Sequence, residues 1–387
     1  MSLNGRAYIV GAYEHPTRKA DDLSVVRLHA DVAKGALEDA GLTKDDIDGY
    51  FCAGDAPGLG STTMVEYLGL KVRHVDSTEC GGSAPILHVA HAAEAIAAGR
   101  CNVALITLAG RPRAAGAALS LKAPDPDAPE LAFELPFGPA TQNLYGMVAK
   151  RHMYEFGTTS EQLAWIKVAA SHHAQHNVHA MLRNVVTVQD VVNSPMVSDP
   201  LHRLDCCVMS DGGGALIIAR PEIARQLKRP LVKVRGTGEA PKHSMGGKID
   251  LTYSAAVWSG AAAFAEAGIT ATDIKYASLY DSFTITVLMQ LEDLGFCKKG
   301  EGGKFVADGG LISGVGKLPF NTDGGGLCNN HPANRGGVTK VIEAVRQLRG
   351  EAHPAVQVKN CDLAIASGIG GALASRHTAA TLILERA

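Results

Sequence analysis

Two short stretches hold residues whose type and setting could do chemistry. In "DSTECGGSAP", Asp76 to Pro85, Cys80 stands before a glycine pair and a helix-like run. A cysteine at the start of a helix can be held as thiolate by the helix dipole, which makes Cys80 a candidate nucleophile. The same residue is equally a candidate for a small packing thiol beside a tight turn, since free cysteine is among the most buried residue types. In "GGGLCNNHP", His331 lies in a loop too rich in glycine and asparagine to be a core element, so it is a candidate site histidine. Cys328, three residues earlier, is either within reach of that site or a packing thiol.

Other suggestive runs are weaker. "SHHAQHNVH" puts His172 and His176 on one helix face, and His173, His176 and His179 on another. No carboxylate or cysteine completes a ligand set, so the run reads as a polar helix face and no metal site is expected. "GGLISGVGK" fails as a phosphate loop, because Leu311 takes the place of the first glycine and Leu318 follows Lys317. "DGGGALIIA" reads as a packed strand rather than a nucleotide fingerprint. Eight cysteines are scattered without CxxC or zinc-finger spacing, as expected of reduced thiols in a cytoplasmic chain.

The elements that must position these residues alternate between helix-like and strand-like segments, which predicts an α/β protein. "RAYIVGAY" reads as a strand, "VVRLHADVAKGALEDAGL" as an amphipathic helix closed by Gly41, and "DIDGYFCAG" as a strand and loop. "APILHVAHAAEAIAAG" is apolar enough to be a helix buried on most faces, followed by the buried strand "CNVALITLAG". From about 111 to 200 the texture changes to Pro- and Ala-rich sequence and short polar helices, read as an insertion covering one end of the core, where substrate contacts collect. The strand pattern resumes with "DGGGALIIAR" and "LVKVRGTGEA".

A repeat runs through the chain. Gly81 and Gly82 open a helix followed by "CNVALITLAG"; Gly336 and Gly337 open "VTKVIEAVRQLRG", followed by "CDLAIASGIGG". Two related halves are therefore expected, 1–235 with the insertion at about 111–200, and 236–387. With 387 residues, 46% hydrophobic, and a net charge of −2, the chain can bury one large core or two moderate ones. That charge gives no reason to expect nucleic acid or an anionic membrane as partner. The N-terminal "MSLNGRAYIVGAYEHP" shows no signal-peptide pattern, and no apolar run reaches a membrane span, so a cytoplasmic setting is expected.

Four stretches together resemble the thiolase superfamily, and its sterol-carrier-protein-type thiolases in particular. They are "NSPMVSDPLHRLDCCVMSDGGGALIIA", "YDSFTITVLMQLEDLGFCKKGEGGKFV", "NTDGGGLCNNHPANRGG" and "ASGIGGALASRHTAATLIL", in the family's order and spanning nearly the whole chain. The resemblance implies a five-layered αβαβα core of two repeats plus a loop domain. It also implies a homodimer and coenzyme A thioester substrates, with no bound cofactor besides the substrate's own coenzyme A. The implied substrate-binding positions are Gly82 and Ser83 in the first glycine turn, Asn330 beside His331, and Gly370 in the closing loop.

The chain departs from that pattern at three places. Counting back from Gly99 without a gap puts Gly82, not Cys80, at the family's nucleophile position. Tyr280 stands where the family's "HDCF" segment has histidine, and Asp281 after it reads as a residue that fixes loop backbone. The closing loop "IASGIGG" has no cysteine to move a proton at the substrate α-carbon. What remains is a helix N-terminus, glycine-loop amides and His331, a set suited to holding a thioester enolate. Tyr280, with a lowered pKa, would take the proton of a β-hydroxyl and let the Cα–Cβ bond break. This is a retro-aldol reaction, and the chain is similar in this respect to thiolase-like aldolases of steroid side-chain breakdown, which work with a small OB-fold, zinc-ribbon partner. Two alternatives stay open: a thiolase using Cys80 in a shifted loop, activated by His331 or Tyr280, and a scaffold that binds acyl-CoA without turnover.

Overall fold

The structure is a computed structural model that describes residues 2–53, 56–116, 134–138, 140–243 and 248–387. Its strands are β1 (Tyr8–Glu14), β2 (Gly49–Phe51), β3 (His74–Asp76), β4 (Val103–Gly110), β5 (Met196–Ser198) and β6 (Leu201–His202). They continue with β7 (Gly212–Ala219), β8 (Val232–Lys242), β9 (Tyr276–Leu279), β10 (Leu363–Ala372) and β11 (Arg376–Arg386). The unbroken apolar runs of β4 and β7 are buried over their full length, as strands covered on both faces must be.

Nine strands form one mixed sheet in the order β3-β2-β4-β7-β1-β8-β11-β10-β9. Read outward from the β1–β8 junction, its two sides repeat. On one side β1 is antiparallel to β7, β7 antiparallel to β4, and β4 parallel to β2. On the other β8 is antiparallel to β11, β11 antiparallel to β10, and β10 parallel to β9. The sides meet at a short pairing of Tyr8 with Lys233 and Ile9 with Val232. The boundary expected between residues 235 and 236 falls inside β8, whose first residue is Val232.

Helices complete the layers. Val25–Ala40 packs outside the first set of strands, where Val32, Ala33 and Ala36 meet Val10 and Ile217. Ala256–Ala267 packs outside the second set, against Ala379 and Ile383. Between the two sets lie Ala84–Ala97 and Gly337–Arg349, whose apolar residues share one core with Ile106 and Leu216 on one side and Ala364 and Leu382 on the other. The order is helix, strands, central helices, strands, helix: the five layers of the thiolase fold.

The insertion differs from its expected short polar helices. Thr141–Phe156 and Ser160–Ala174 are four turns each, and the second is buried along Leu163, Ile166, Lys167 and Val168. Thr159 caps it reciprocally with Gln162, a pairing that satisfies two otherwise orphaned amides. The histidine run splits accordingly: His173 Nε2 faces the core and accepts from Ser313 N at 2.9 Å, while the His176 ring stacks on His353 at 4.9 Å. No described helix is long and apolar enough to cross a membrane.

Candidate active site

The first glycine pair and the closing loop touch backbone to backbone. Gly81 has φ +70°, and a Cβ there would stand 2.8 Å from Gly370 Cα. A Cβ on Gly370 would stand 1.7 Å from the Cys80 carbonyl oxygen, so only glycine fits this crossing. Gly81–Ser83 form a single 3₁₀ turn that leads into Ala84–Ala97, with Pro85 in the first turn where no amide is needed.

Gly82 itself has no room for a side chain. A Cβ there would meet Tyr280 Cζ at 2.3 Å and the Ile369 carbonyl oxygen at 2.5 Å. The phenol of Tyr280 therefore occupies the space in which a nucleophile on residue 82 would have to lie. Tyr280 follows β9 directly; its amide donates to Ser367 O at 2.9 Å and its carbonyl accepts from Gln290 Nε2 at 2.7 Å. Its ring centroid is 5.4 Å from that of His331.

The two rings are electrically neutral at physiological pH. Burial pushes the Tyr280 hydroxyl well above the ordinary phenol range, and nearby Tyr145, Cys207 and Asp281 add to the rise. This corrects the expectation of a tyrosine with lowered pKa: burial dominates, and the charges that act on the phenol raise it further. Burial also lowers His331 to about 4, with Asp281 opposing and Lys340 assisting the shift. His331 Nε2 is buried and has no hydrogen-bond partner among the described residues, which leaves it for a ligand.

Tyr280, His331, Cys80, Gly82 and Gly370 line one cavity of about 1130 Å³. Ser83 and Asn330, expected to bind substrate, do not line it. Ser83 Oγ turns under the loop, donating to Cys80 O at 2.9 Å and lying 2.6 Å from Thr378 Oγ1. Asn330 is fully buried, accepting from Ser210 Oγ at 2.7 Å and donating to Glu14 Oε1 at 3.0 Å. Since Ser210 Oγ also accepts from the His331 amide at 2.8 Å, Asn330 helps to place the histidine rather than to meet substrate.

Cys80 lies before the turn, not at the helix N-terminus, and the Gly81 amide beside it is taken by the Glu79 carboxylate at 2.7 Å. Burial pushes the thiol up, outweighing the Ser83 and Thr378 hydroxyls beside the sulfur, of which Ser83 Oγ donates at 3.4 Å. A thiol so placed keeps its proton and is a poor nucleophile.

Asp281 fixes loop backbone, and three residues that sequence reasoning passed over complete the site. Asp281, fully buried, accepts from Gly326 N at 2.8 Å and Leu327 N at 3.1 Å, and from Lys340 Nζ at 2.7 Å, so the pair ties the His331 loop to the second central helix. Lys340 is legible in hindsight as a cation near the N-terminal end of its helix, where the dipole disfavours it without a carboxylate partner. His377 and Tyr145 line the cavity as well. His377 Nε2 accepts from Ala255 N at 2.9 Å. Tyr145 sits in the insertion, in "TQNLYGMVAK", where no motif marks it.

Comparisons with known proteins agree with this geometry. Residues 237–386 match the family model described as "Thiolase C-terminal domain-like". The chain is 32% identical to an acetyl-CoA acetyltransferase of Methanothermobacter thermautotrophicus, over 98% of this chain and 99% of that protein. It is 33% identical to a 17-hydroxy-3-oxo-4-pregnene-20-carboxyl-CoA lyase of Mycobacterium tuberculosis, over 95% and 98% respectively. The solved structure of an "Ltp2-ChsH2(DUF35) aldolase" superposes with a TM-score of 0.89 at 31% identity, covering 100% of this chain and 99% of that one. Repeat, five layers and full-length similarity lead to one statement: the chain belongs to the thiolase superfamily.

Proposed function

We propose that the protein is a thiolase-fold retro-aldolase that cleaves the Cα–Cβ bond of a 3-hydroxyacyl-CoA. The observation that carries this reading is the overlap at Gly82, where the phenol of Tyr280 fills the volume that a nucleophilic side chain needs. Chemistry beside a thioester is then left to proton transfer and charge stabilisation.

The neutral state of Tyr280 shapes the step. As the β-hydroxyl proton moves to the Tyr280 oxygen, the Cα–Cβ pair flows to Cα, and the tyrosine's own proton passes to that carbon. A ketone or aldehyde leaves, a shortened acyl-CoA remains, and Tyr280 ends as the neutral phenol it began as. His331, uncharged and with Nε2 free, supports the thioester oxygen while enolate charge develops there. Coenzyme A enters as part of the substrate, and the scheme requires no further cofactor.

The lyase and aldolase names of two relatives support the reaction class, and the pregnene-derived substrate in one name supports a bulky cyclic acyl group. The second component named with the solved aldolase supports a partner subunit for this chain too. The strand β3 ends the sheet with one edge unpaired, a surface suited to a homodimer. The acetyltransferase name of another relative, and the place of Cys80 on the cavity wall, favour the thiolase reading.

One pair of assays separates the two. Incubation with 3-hydroxyacyl-CoA should release a carbonyl compound and a shortened acyl-CoA, abolished in Tyr280→Phe. Intact-mass analysis after 3-ketoacyl-CoA should show no adduct; a CoA-reversible acyl group on Cys80 would establish thiolase chemistry instead.

A further inference from the structure

The insertion contributes a second phenol to the same cavity. Tyr145, on the helix Thr141–Phe156, is only 4% exposed yet lines the wall together with Tyr280. Its ring is clamped on Phe283, three residues beyond Tyr280 in the same loop, at 4.3 Å between centroids and 30° between planes. Such a stack leaves the phenol little freedom to swing. The hydroxyl reaches the closing glycine loop, where its contact with the Gly371 carbonyl is 3.4 Å, far longer than the 2.7–2.8 Å of a good O–H···O bond. Gly371 N is in turn where a Cβ on Gly81 would collide, at 2.9 Å, so this hydroxyl lies beside the turn that holds Gly82. The Ser282 side chain is a further polar neighbour of the Tyr145 hydroxyl. A hydroxyl fixed in direction on the wall it shares with the reacting phenol, and free to turn its proton from a long contact to a ligand, is placed to donate to substrate.

On the retro-aldol reading, one substrate oxygen still lacks a donor. The thioester oxygen is served by His331, and the β-hydroxyl proton goes to Tyr280. The β-oxygen, which gathers charge as its proton leaves, has none. We propose that Tyr145 donates a hydrogen bond to the β-oxygen of the 3-hydroxyacyl-CoA as it becomes a carbonyl. It keeps its own proton throughout, so the proton balance of the Tyr280 relay is unchanged. Burial, which pushes the Tyr145 hydroxyl up to about 12, is consistent with a donor that does not ionise.

This assignment separates two reactions of one site. Cleavage needs the β-oxygen; exchange of the α-protons of propionyl-CoA with deuterated water has no β-oxygen and needs only the enolate machinery. The test uses the full chain, with the aldol adduct of propionyl-CoA and cyclopentanone as cleavage probe and propionyl-CoA as exchange probe. Tyr145→Phe retains the ring stack and should lower kcat for cleavage about 10²-fold, the usual effect of removing one donor to developing charge. It should leave KM and α-proton exchange within about threefold of wild type. Tyr280→Phe should lose both reactions. Undiminished cleavage by Tyr145→Phe would overturn the assignment, as would a parallel loss of exchange, which would place the residue in enolate support or in structure. A wild-type protein that neither cleaves nor exchanges would instead remove the retro-aldol reading on which the assignment rests.

Discussion

The two halves of this molecule share a strand order but give the site different things. The first half gives backbone and space: the turn at Gly81 and Gly82, with Cys80 on the wall beside it. The second half gives the two rings that meet beside the turn, Tyr280 after β9 and His331 before the second central helix, and the insertion of the first half adds Tyr145 to the wall. The matching glycine pair of the second half is closed, since a Cβ on Gly337 would stand 2.3 Å from the Gly82 carbonyl oxygen and 3.0 Å from Pro85 Cγ. One helix opening faces a cavity and its twin is packed against it. Topology therefore does not assign the chemistry; which loop opens onto the cavity, and which residue type fills it, does.

The largest test of this division is Tyr280→Phe, which removes the hydroxyl of the ring packed directly on Gly82. Cleavage should fall by about 10³-fold or more, within the usual reach of general acid–base catalysis, while the fold stays intact because the ring is kept. Gly82→Ala attacks the same contact from the first half. Its methyl must displace both the phenol and the Ile369 carbonyl, so it should cost about 1–3 kcal/mol by overpacking and lose most cleavage. Urea denaturation of each variant beside its activity separates the two effects. If Gly82→Ala is as stable and as active as wild type, the first half does not provide the space that the phenol occupies.

The polar support of the second half should be costly to cut. Lys340→Met leaves Asp281 buried without its cation, which typically costs about 3–5 kcal/mol. Asp281 also holds the amides of Gly326 and Leu327, so the His331 loop should loosen at the same time. The double variant Asp281→Asn with Lys340→Met should be more stable than Lys340→Met alone, because Asp281 then no longer buries a charge without its cation. Equal stability of the two would show that the pair contributes only through backbone contacts.

Acid sensitivity gives a smaller effect on the same side of the comparison. Burial lowers His331 to about 4, below the ordinary value of 6.5, so the unfolded chain binds its proton more tightly than the folded one. The stability this group contributes is complete above pH 6.5 and is lost as pH falls from 6.5 towards 4. His331→Gln should therefore flatten the fall in stability across that window relative to wild type and leave the slope above pH 7 unchanged. Unfolding free energies at pH 4.5, 5.5 and 7.5 would show it. Slopes that match across the window would mean that His331 is not buried in solution.

Much of this fold was legible because its signals are local and repeated. The apolar runs of β4 and β10, each preceded by a glycine pair and a helix, announce the two halves. Gly82 and Tyr280 were legible as departures from a motif, yet their contact was not: it joins residues far apart in sequence, and no periodicity encodes it. The electrical state of Tyr280 was misread for a related reason. A short segment shows a phenol in a site loop, whereas the burial that raises it, and the added electrostatic push of Tyr145 and Cys207, depend on elements distant in sequence. Ser83 and Asn330 were misplaced because adjacency in sequence was taken for adjacency to the cavity; a turn sends neighbouring side chains in opposite directions. Tyr145 carried no signal at all, being one aromatic residue in a helix of the insertion.

The smallest expected effect is the sharpest test of what the first half does. Cys80 lines the cavity and is the residue that a thiolase mechanism would require. Burial pushes its thiol up, and the side chains that hydrogen-bond its sulfur are the hydroxyls of Ser83 and Thr378, neither of them a base. The stronger bonds at this residue, from Ser83 Oγ and Thr378 Oγ1, end on the backbone carbonyl and survive a change of side chain. Cys80→Ala should therefore cleave within about twofold of wild type and lose about 1 kcal/mol or less, as one half-buried sulfur predicts. A loss of about 10³-fold would move the chemistry back onto the first half, and the phenol over Gly82 would then be a packing group.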